Sequence, residues 1–492
     1  MISIYNTLTR RKDEFKPMRE GNVSMYVCGP TVYDVPHIGH ARSAYSFEVI
    51  RKYLEYSGYK VFFVRNVTDV DDKIIKKAVD ELNEIGEKIS APRLRERVKD
   101  VAERYLGVYH NEMDIFGIRK PTREPKATEN IKEMLDFINV LIAKKFAYAA
   151  GANVYFSVES FPEYGKLSKQ DREQMLHGAR VGLDEKKRHP LDFALWKEAA
   201  EDEPYWESPW GKGRPGWHIE CSVMSTGILG AQFDIHGGGL DLIFPHHENE
   251  IAQAEAATGK PFANYWIHNG LLTVSGEKMS KSLGNYVRIS DFLTKYSDPD
   301  LLKIAFLSSH YRSPMDYSDE KMDSAGRSRE RVMIFFDKVD RMTRECPGAG
   351  GIMLEDMSAV EKAQRVVNEL QEKFEAAMDD DFNTPQALAV IFEAVKTGND
   401  LMSEEGAALP ERAYKANAVK NYVLRAADIL GLSLNAAKMN ASETGEIGRL
   451  VLLREEARKN RDFASADRIR KELADKGVTV EDTPEGPVWR KK

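Results

Sequence analysis

Cysteine is scarce in this chain: among 492 residues there are three, Cys28, Cys221 and Cys346. Three scattered thiols exclude a disulfide framework and fit a reducing compartment, where a cysteine serves as a metal ligand or a nucleophile. Long apolar runs are also missing. Nothing reaches the ~20 residues needed to span a bilayer, and the start, Met1-Ile2-Ser3-Ile4-Tyr5-Asn6, lacks the basic and apolar stretches of a secretory leader. A cytoplasmic protein with no membrane partner is expected. Nor is there a basic excess: the net charge of -7 argues against indiscriminate coating of nucleic acid, although a local basic strip suffices to follow phosphates. Residues 451–492 come closest, with 11 Lys and Arg against 9 Asp and Glu. Internal repeats and low-complexity tracts are absent.

What is present is a large apolar fraction, 42%, on a chain long enough for roughly three domains. Val23 to Cys28 alternates apolar and polar residues before Gly29-Pro30-Thr31 breaks the pattern, which predicts a strand ending at Cys28. Phe47, Ile50, Tyr53 and Leu54 follow at helical spacing, Gly58 is placed to stop that helix, and Val61 to Val64 predicts a second strand. Such a unit puts His37 and His40 in the crevice beyond the carboxyl end of the first strand, where open α/β sheets bind ligands. Residues 121–200 lose the alternation and read as an insertion. Gln232 to His236 and Glu248 to Ala257 then resume a strand and a helix. After about 290 strand signals fade, and amphipathic helices are predicted at Ala359 to Met378, Thr384 to Met402 and Ala413 to Leu430. The last 45 or so residues read as a small helical module closing in a Gly/Pro turn and Trp489.

Two short segments about 240 residues apart carry matching chemistry. His37-Ile38-Gly39-His40 sits where an incoming helix has unsatisfied N–H groups and a positive dipole end. Lys278-Met279-Ser280-Lys281-Ser282 lies in a Gly- and Ser-rich stretch that reads as a mobile loop. Imidazoles at a helix mouth donate to phosphates, and ammonium groups on a loop close over the charge of a departing pyrophosphate. In this order the two resemble the ATP-handling motifs of class I aminoacyl-tRNA synthetases. Lys281 is the first choice for holding the phosphates, with Lys278 assisting and Ser280 ordering the loop. A third constellation joins Cys28, Cys221, His246 and Glu250: two thiolates, an imidazole and a carboxylate make a zinc set, with the last two residues on one helical face. Taken singly, each cysteine reads equally well as a small buried hydrophobe.

Met25 to Asp34 joined to His37 to His40, then Gly216 to Ser222, Phe233 to Gly239, Phe244 to Glu250 and the Lys278 segment resemble the cysteinyl-tRNA synthetase family over essentially the whole chain. The resemblance implies one zinc ion per subunit on Cys28, Cys221, His246 and Glu250, Mg2+ with ATP, L-cysteine and tRNA-Cys as partners, and a monomer. It implies substrate-binding roles for Thr31, Trp217, His218, His236 and His247, and tRNA contacts at Asp482, Trp489 and Arg490. The fold expected is α/β: a split Rossmann-like parallel-sheet core at 1–120 and 201–290, an inserted domain at 121–200, a stem-contact linker at 291–340, an α-helical anticodon-binding domain at 341–435 and a small C-terminal module at 449–492. Two competing readings share parts of the pattern. A ligase handing cysteine to an amino sugar would lack residues equivalent to 340–492, and a non-catalytic RNA-binding paralogue would have lost His37, His40, Lys278 or Lys281.

Overall fold

The computed structural model describes residues 1–170, 175, 186–200, 203–279, 284–346, 357–434, 450–451, 453–455, 457–458, 462–475, 477–483 and 486–491. Ser280 and Lys281 lie outside the described residues. The chain forms two compact units, Met1–Ser433 and Leu434–Lys492.

The larger unit is built on four parallel strands. β1 (Asn22–Val27) feeds α1 (Ile38–Tyr56), which returns to β2 (Lys60–Arg65). Much later α2 (Trp217–Leu229) leads into β3 (Phe233–Gly239), and α3 (Glu248–Thr258) leads into β4 (Ala263–Asn269). The order across the sheet is β4-β3-β1-β2. β1 therefore has its first crossover partner on one side and the much later β3 on the other, which makes the gap between their carboxyl ends the switch point where such sheets bind ligands. Cys28 is the first residue past β1. Gly237 near the end of β3 packs against α1, where an added Cβ would stand 2.3 Å from the Phe47 ring. α1 stops at Gly58, whose φ of +93° suits a residue without Cβ.

Between the two halves of the core lie the helix Ile131–Ala143 and an antiparallel four-stranded sheet of Ala147–Ala150, Asn153–Phe156, Phe193–Glu198 and Gly213–Pro215. That sheet continues past residue 200. Its apolar face and the main sheet share one buried cluster, running from Val154, Phe156 and Trp196 through Cys221 to Phe233 and Trp266. Helices Pro299–Leu307, Asp319–Glu345, Met357–Asp379, Thr384–Met402 and Leu409–Ile429 follow.

Two sequence expectations need correcting. Strands do not end at 290: Met315–Tyr317 pairs in parallel with Leu272–Val274, which also pairs antiparallel with Glu277–Lys278. The terminal module is not wholly helical either. Its helix Phe463–Asp475 is followed by a hairpin of Val478–Thr483 and Gly486–Lys491, with Val480 opposite Trp489 and Thr479 opposite Arg490. The β-branched run Val478-Thr479-Val480 favours an extended backbone over a further helical turn, and Val478 and Val480 complete a small core with Val451 and Leu473.

Candidate active site

Cys28 leaves β1 directly into the switch-point crevice. Cys221 lies in the second turn of α2, Glu250 in the first turn of α3, and His246 in the kinked turn just before α3, one helical turn from Glu250. The Sγ atoms of Cys28 and Cys221 are 3.7 Å apart, Cys28 Sγ is 3.3 Å from Glu250 Oε1, and His246 Nε2 is 2.9 Å from the same oxygen. An ion bonded tetrahedrally at about 2.0–2.3 Å separates its donors by about 3.3–3.8 Å. The four side chains therefore fit a metal ion with only small adjustments. Cys28 and Glu250 also belong to a second set of four donors, with His236 and His247.

Charge is arranged to match. Burial works to raise the Cys221 thiol, yet the neighbouring Cys28 and His246 bring it down to about 6. Burial pushes the Cys28 thiol well up. His246 is buried too, but Glu250 and Cys221 hold its proton up to about 10. Burial likewise opposes the charge on Glu250, which His236 and His246 nevertheless keep well below the usual carboxylate range.

A second layer of histidines stands behind the four. His236 Nε2 lies 2.8 Å from Glu250 Oε2, and its ring stacks on Trp266 at 4.4 Å. His247 Nε2 is 3.3 Å from Cys28 Sγ, its Nδ1 is 2.8 Å from His268 Nε2, and His268 Nδ1 is 2.8 Å from Thr7 Oγ1. One assignment of protons satisfies this line: Thr7 donates to His268, His268 to His247, and His247 to the sulfur. His218 Nδ1 meets His246 Nδ1 at 2.9 Å, and Trp217, 38% exposed, stacks on the His246 ring at 4.2 Å.

At the other end of the crevice, His37 caps α1. Its Nδ1 accepts from Gly39 N at 3.0 Å, and His40 Nδ1 accepts from His37 N at 3.1 Å. A backbone N–H can only donate, so both imidazoles carry their proton on Nε2 and keep that donor for a ligand. Burial lowers His37 to about 4 and His40 to about 3, so both are neutral donors at neutral pH. The chain beyond the lysine segment docks on this helix start: Ile38 N donates to Val287 O at 3.1 Å, and Tyr286 Oη to Val35 O at 3.0 Å. Two residues past His40, the buried Arg42 grips the carbonyls of Gly270, Leu271 and Ser313 at 2.5–3.0 Å, fixing the ribbon that leads to Lys278.

A cavity of about 510 Å³ joins the two ends, lined by Cys28 and Thr31 at one end and by His37, Gly39, His40 and Met279 at the other. Of the five residues expected to bind substrate, Thr31 lines this cavity. His236 and His247 are fully buried beside Cys28 and Glu250, and Trp217 and His218 lie against His246. Sequence reasoning misses Thr7, His268, Arg42 and two further cavity residues, Lys73 and Asp241. Only the Gly-rich approach to Asp241 hints at a ligand. Asp482, Trp489 and Arg490 lie on the terminal hairpin.

Residues 14–327 match the family described as tRNA synthetases class I (C) catalytic domain, residues 373–435 a DALR domain and residues 444–490 a cysteinyl-tRNA ligase anticodon binding domain. The chain is 47% identical over 507 residues to the cysteine–tRNA ligase of Thermodesulfovibrio yellowstonii, covering all of both chains. The chain belongs to the cysteine–tRNA ligase family. It is thus an aminoacyl-tRNA ligase of class I. Identity to the cysteine–tRNA ligase of Thermococcus gammatolerans is 45% over 492 residues, covering 100% of this chain and 99% of that one. The fold is also that of the Mycobacterium tuberculosis methionyl-tRNA synthetase in complex with methionyl-adenylate, with a TM-score of 0.62 and 15% identity over 83% of this chain and 90% of the other. No helix among the described residues is long and apolar enough to cross a membrane.

Proposed function

We propose that the chain activates L-cysteine with ATP and Mg2+ and transfers it to the 3'-terminal adenosine of tRNA-Cys, with one zinc ion held by Cys28, Cys221, His246 and Glu250. The observation that carries this reading is the meeting, in one crevice, of a buried set of sulfur, nitrogen and oxygen donors with a helix start presenting two neutral Nε2–H groups. Zinc held there supplies a soft bond to the substrate thiolate that the hard hydroxyl of serine does not match. A hydrophobic pocket alone separates such analogues by only about a hundredfold.

The residues divide the remaining work. The Asp241 carboxylate complements the α-ammonium group of the amino acid, and Thr31 fixes its orientation. The α-carboxylate attacks the α-phosphate in line, so catalysis consists of positioning and charge stabilisation rather than covalent relay. His37 and His40 donate to the phosphates as neutral groups, and Gly39 leaves room for them, since a Cβ there would stand 2.7 Å from the His37 ring and 3.0 Å from Met279. Lys278 and Lys281 neutralise the departing pyrophosphate, with Ser280 ordering their loop. The terminal module, with Asp482, Trp489 and Arg490, reads unpaired bases of the tRNA by stacking and hydrogen bonding. One chain carries every residue that this reading uses, so a monomer suffices.

The test is charging of unfractionated tRNA with labelled cysteine by the purified protein, with serine as control. Cysteine-only charging is expected. Cysteine-dependent exchange of pyrophosphate into ATP without charging would replace tRNA by a small amine as the acceptor.

A further inference from the structure

We propose that the Tyr26 hydroxyl is a positioning donor to the Cys221 sulfur, and that this hydrogen bond enables the four-donor cluster to accept a third sulfur from the substrate. The inference rests on the metal reading above. Tyr26 precedes Cys28 by two residues, and the two-residue period of a strand sends both side chains to the same face of β1. It is opposite His236 in the ladder between β1 and β3, with the two rings 5.3 Å apart, and shares a buried cluster with Cys221. The ring is fully buried, and its hydroxyl makes no well-aligned hydrogen bond among the described residues, the Cys221 sulfur being the acceptor within its reach. The ionisable groups facing that hydroxyl are Cys221, Cys28 and Glu250.

A buried hydroxyl whose acceptor is poorly aligned is a cost that packing does not require, because phenylalanine fills the same space. The cost is removed when a bound ion aligns the Cys221 thiolate with the hydroxyl. The other anionic ligands already have their donors: His236 lies 2.8 Å from Glu250, and His247 3.3 Å from Cys28. Tyr26 is the group that faces the remaining sulfur. Two thiolates and a carboxylate around a divalent ion leave one net negative charge, and a substrate thiolate makes it two. Hydrogen bonds to the ligands spread that charge and leave the ion able to bind another sulfur.

The experiment uses the full-length protein loaded with Co2+, whose sulfur-to-metal absorption band reports electron donation by the ligating sulfurs. Tyr26→Phe is expected to keep its metal, shift this band to lower energy and raise KM for cysteine about tenfold, with KM for ATP unchanged. Protein grown with 3-fluorotyrosine, a stronger donor of nearly the same shape, should shift the band the opposite way, which keeps the test open if Tyr26→Phe folds poorly. A band present in the parent and unmoved in both variant proteins overturns the role of Tyr26. A parent lacking the band overturns the metal reading itself, and this inference with it.

Discussion

The two ends of one crevice treat the same side chain in opposite ways. His37 and His40 are lowered to about 4 and about 3 because burial is opposed by no anion, whereas His246, more deeply buried still, is raised to about 10 by Glu250 and Cys221. Burial alone turns histidine into a neutral donor whose tautomer is set by the backbone N–H it accepts. Burial among anions turns it into a proton holder in a place where a cation belongs. The residue type therefore says little, and the sign of its neighbours decides whether a buried imidazole stands as a neutral donor or keeps its proton.

The most damaging change to this contrast is at the sulfur end. Cys221→Ser is expected to strip most of the metal and reduce the preference for cysteine over serine by about a hundredfold or more, read by metal analysis and by pyrophosphate exchange with each amino acid. Retention of one ion per chain would pass the ligand role to His236 and His247, the alternative partners of Cys28 and Glu250. At the nucleotide end the donor can be separated from the cap. In His40→Asn the amide oxygen replaces Nδ1 as acceptor from His37 N while the Nε2–H is lost. Adenylate formation should slow by about 10²–10³ with little change in melting temperature. A normal rate would mean that the cap, and not the free donor, is what His40 contributes.

Much of this contrast is legible in the amino-acid sequence. The first strand, helix and second strand can be read because hydrophobic alternation and Gly58 mark them locally, and the four donors that meet in the crevice because each sits inside a segment that resembles the family. Local pattern runs out where partners come from far along the chain. Thr7 and His268 are 261 residues apart, yet they support the same sulfur. Arg42 reads as a surface residue of a helix until the carbonyls of Gly270, Leu271 and Ser313 close around it. Tyr26 reads as one residue of an alternating strand, because what its buried hydroxyl faces is a property of its surroundings. The terminal hairpin is hidden for the opposite reason: its Val-Thr-Val signal is local but brief, and it follows directly on a stronger helical pattern.

The smallest effect is a proton count, and it sharpens the contrast most directly. A histidine raised in the folded state gives stability that is fully present below its unfolded value near 6.5 and is lost as pH rises through its folded value, here about 10. His37 and His40 are lowered, so they cost nothing above 6.5, and stability falls as pH drops from there toward about 3. Cys221, lowered to about 6, offsets His246 up to the free thiol value near 9, so metal-free protein should lose stability toward acid below about 6.5 and toward base only above about 9. Metal ligation requires His246 and both cysteines to be deprotonated. Near pH 7 Cys221 and Glu250 are already ionised, and the protons to be expelled are those of His246 and Cys28. Zinc uptake should therefore release about two protons per chain, measured by titration calorimetry in buffers of differing ionisation enthalpy. A count near three would place a proton on Cys221, and a count near zero would place the ion elsewhere. ATP binding is the internal control. Because His37 and His40 are neutral before and after it, it should draw no proton from either imidazole at the same pH.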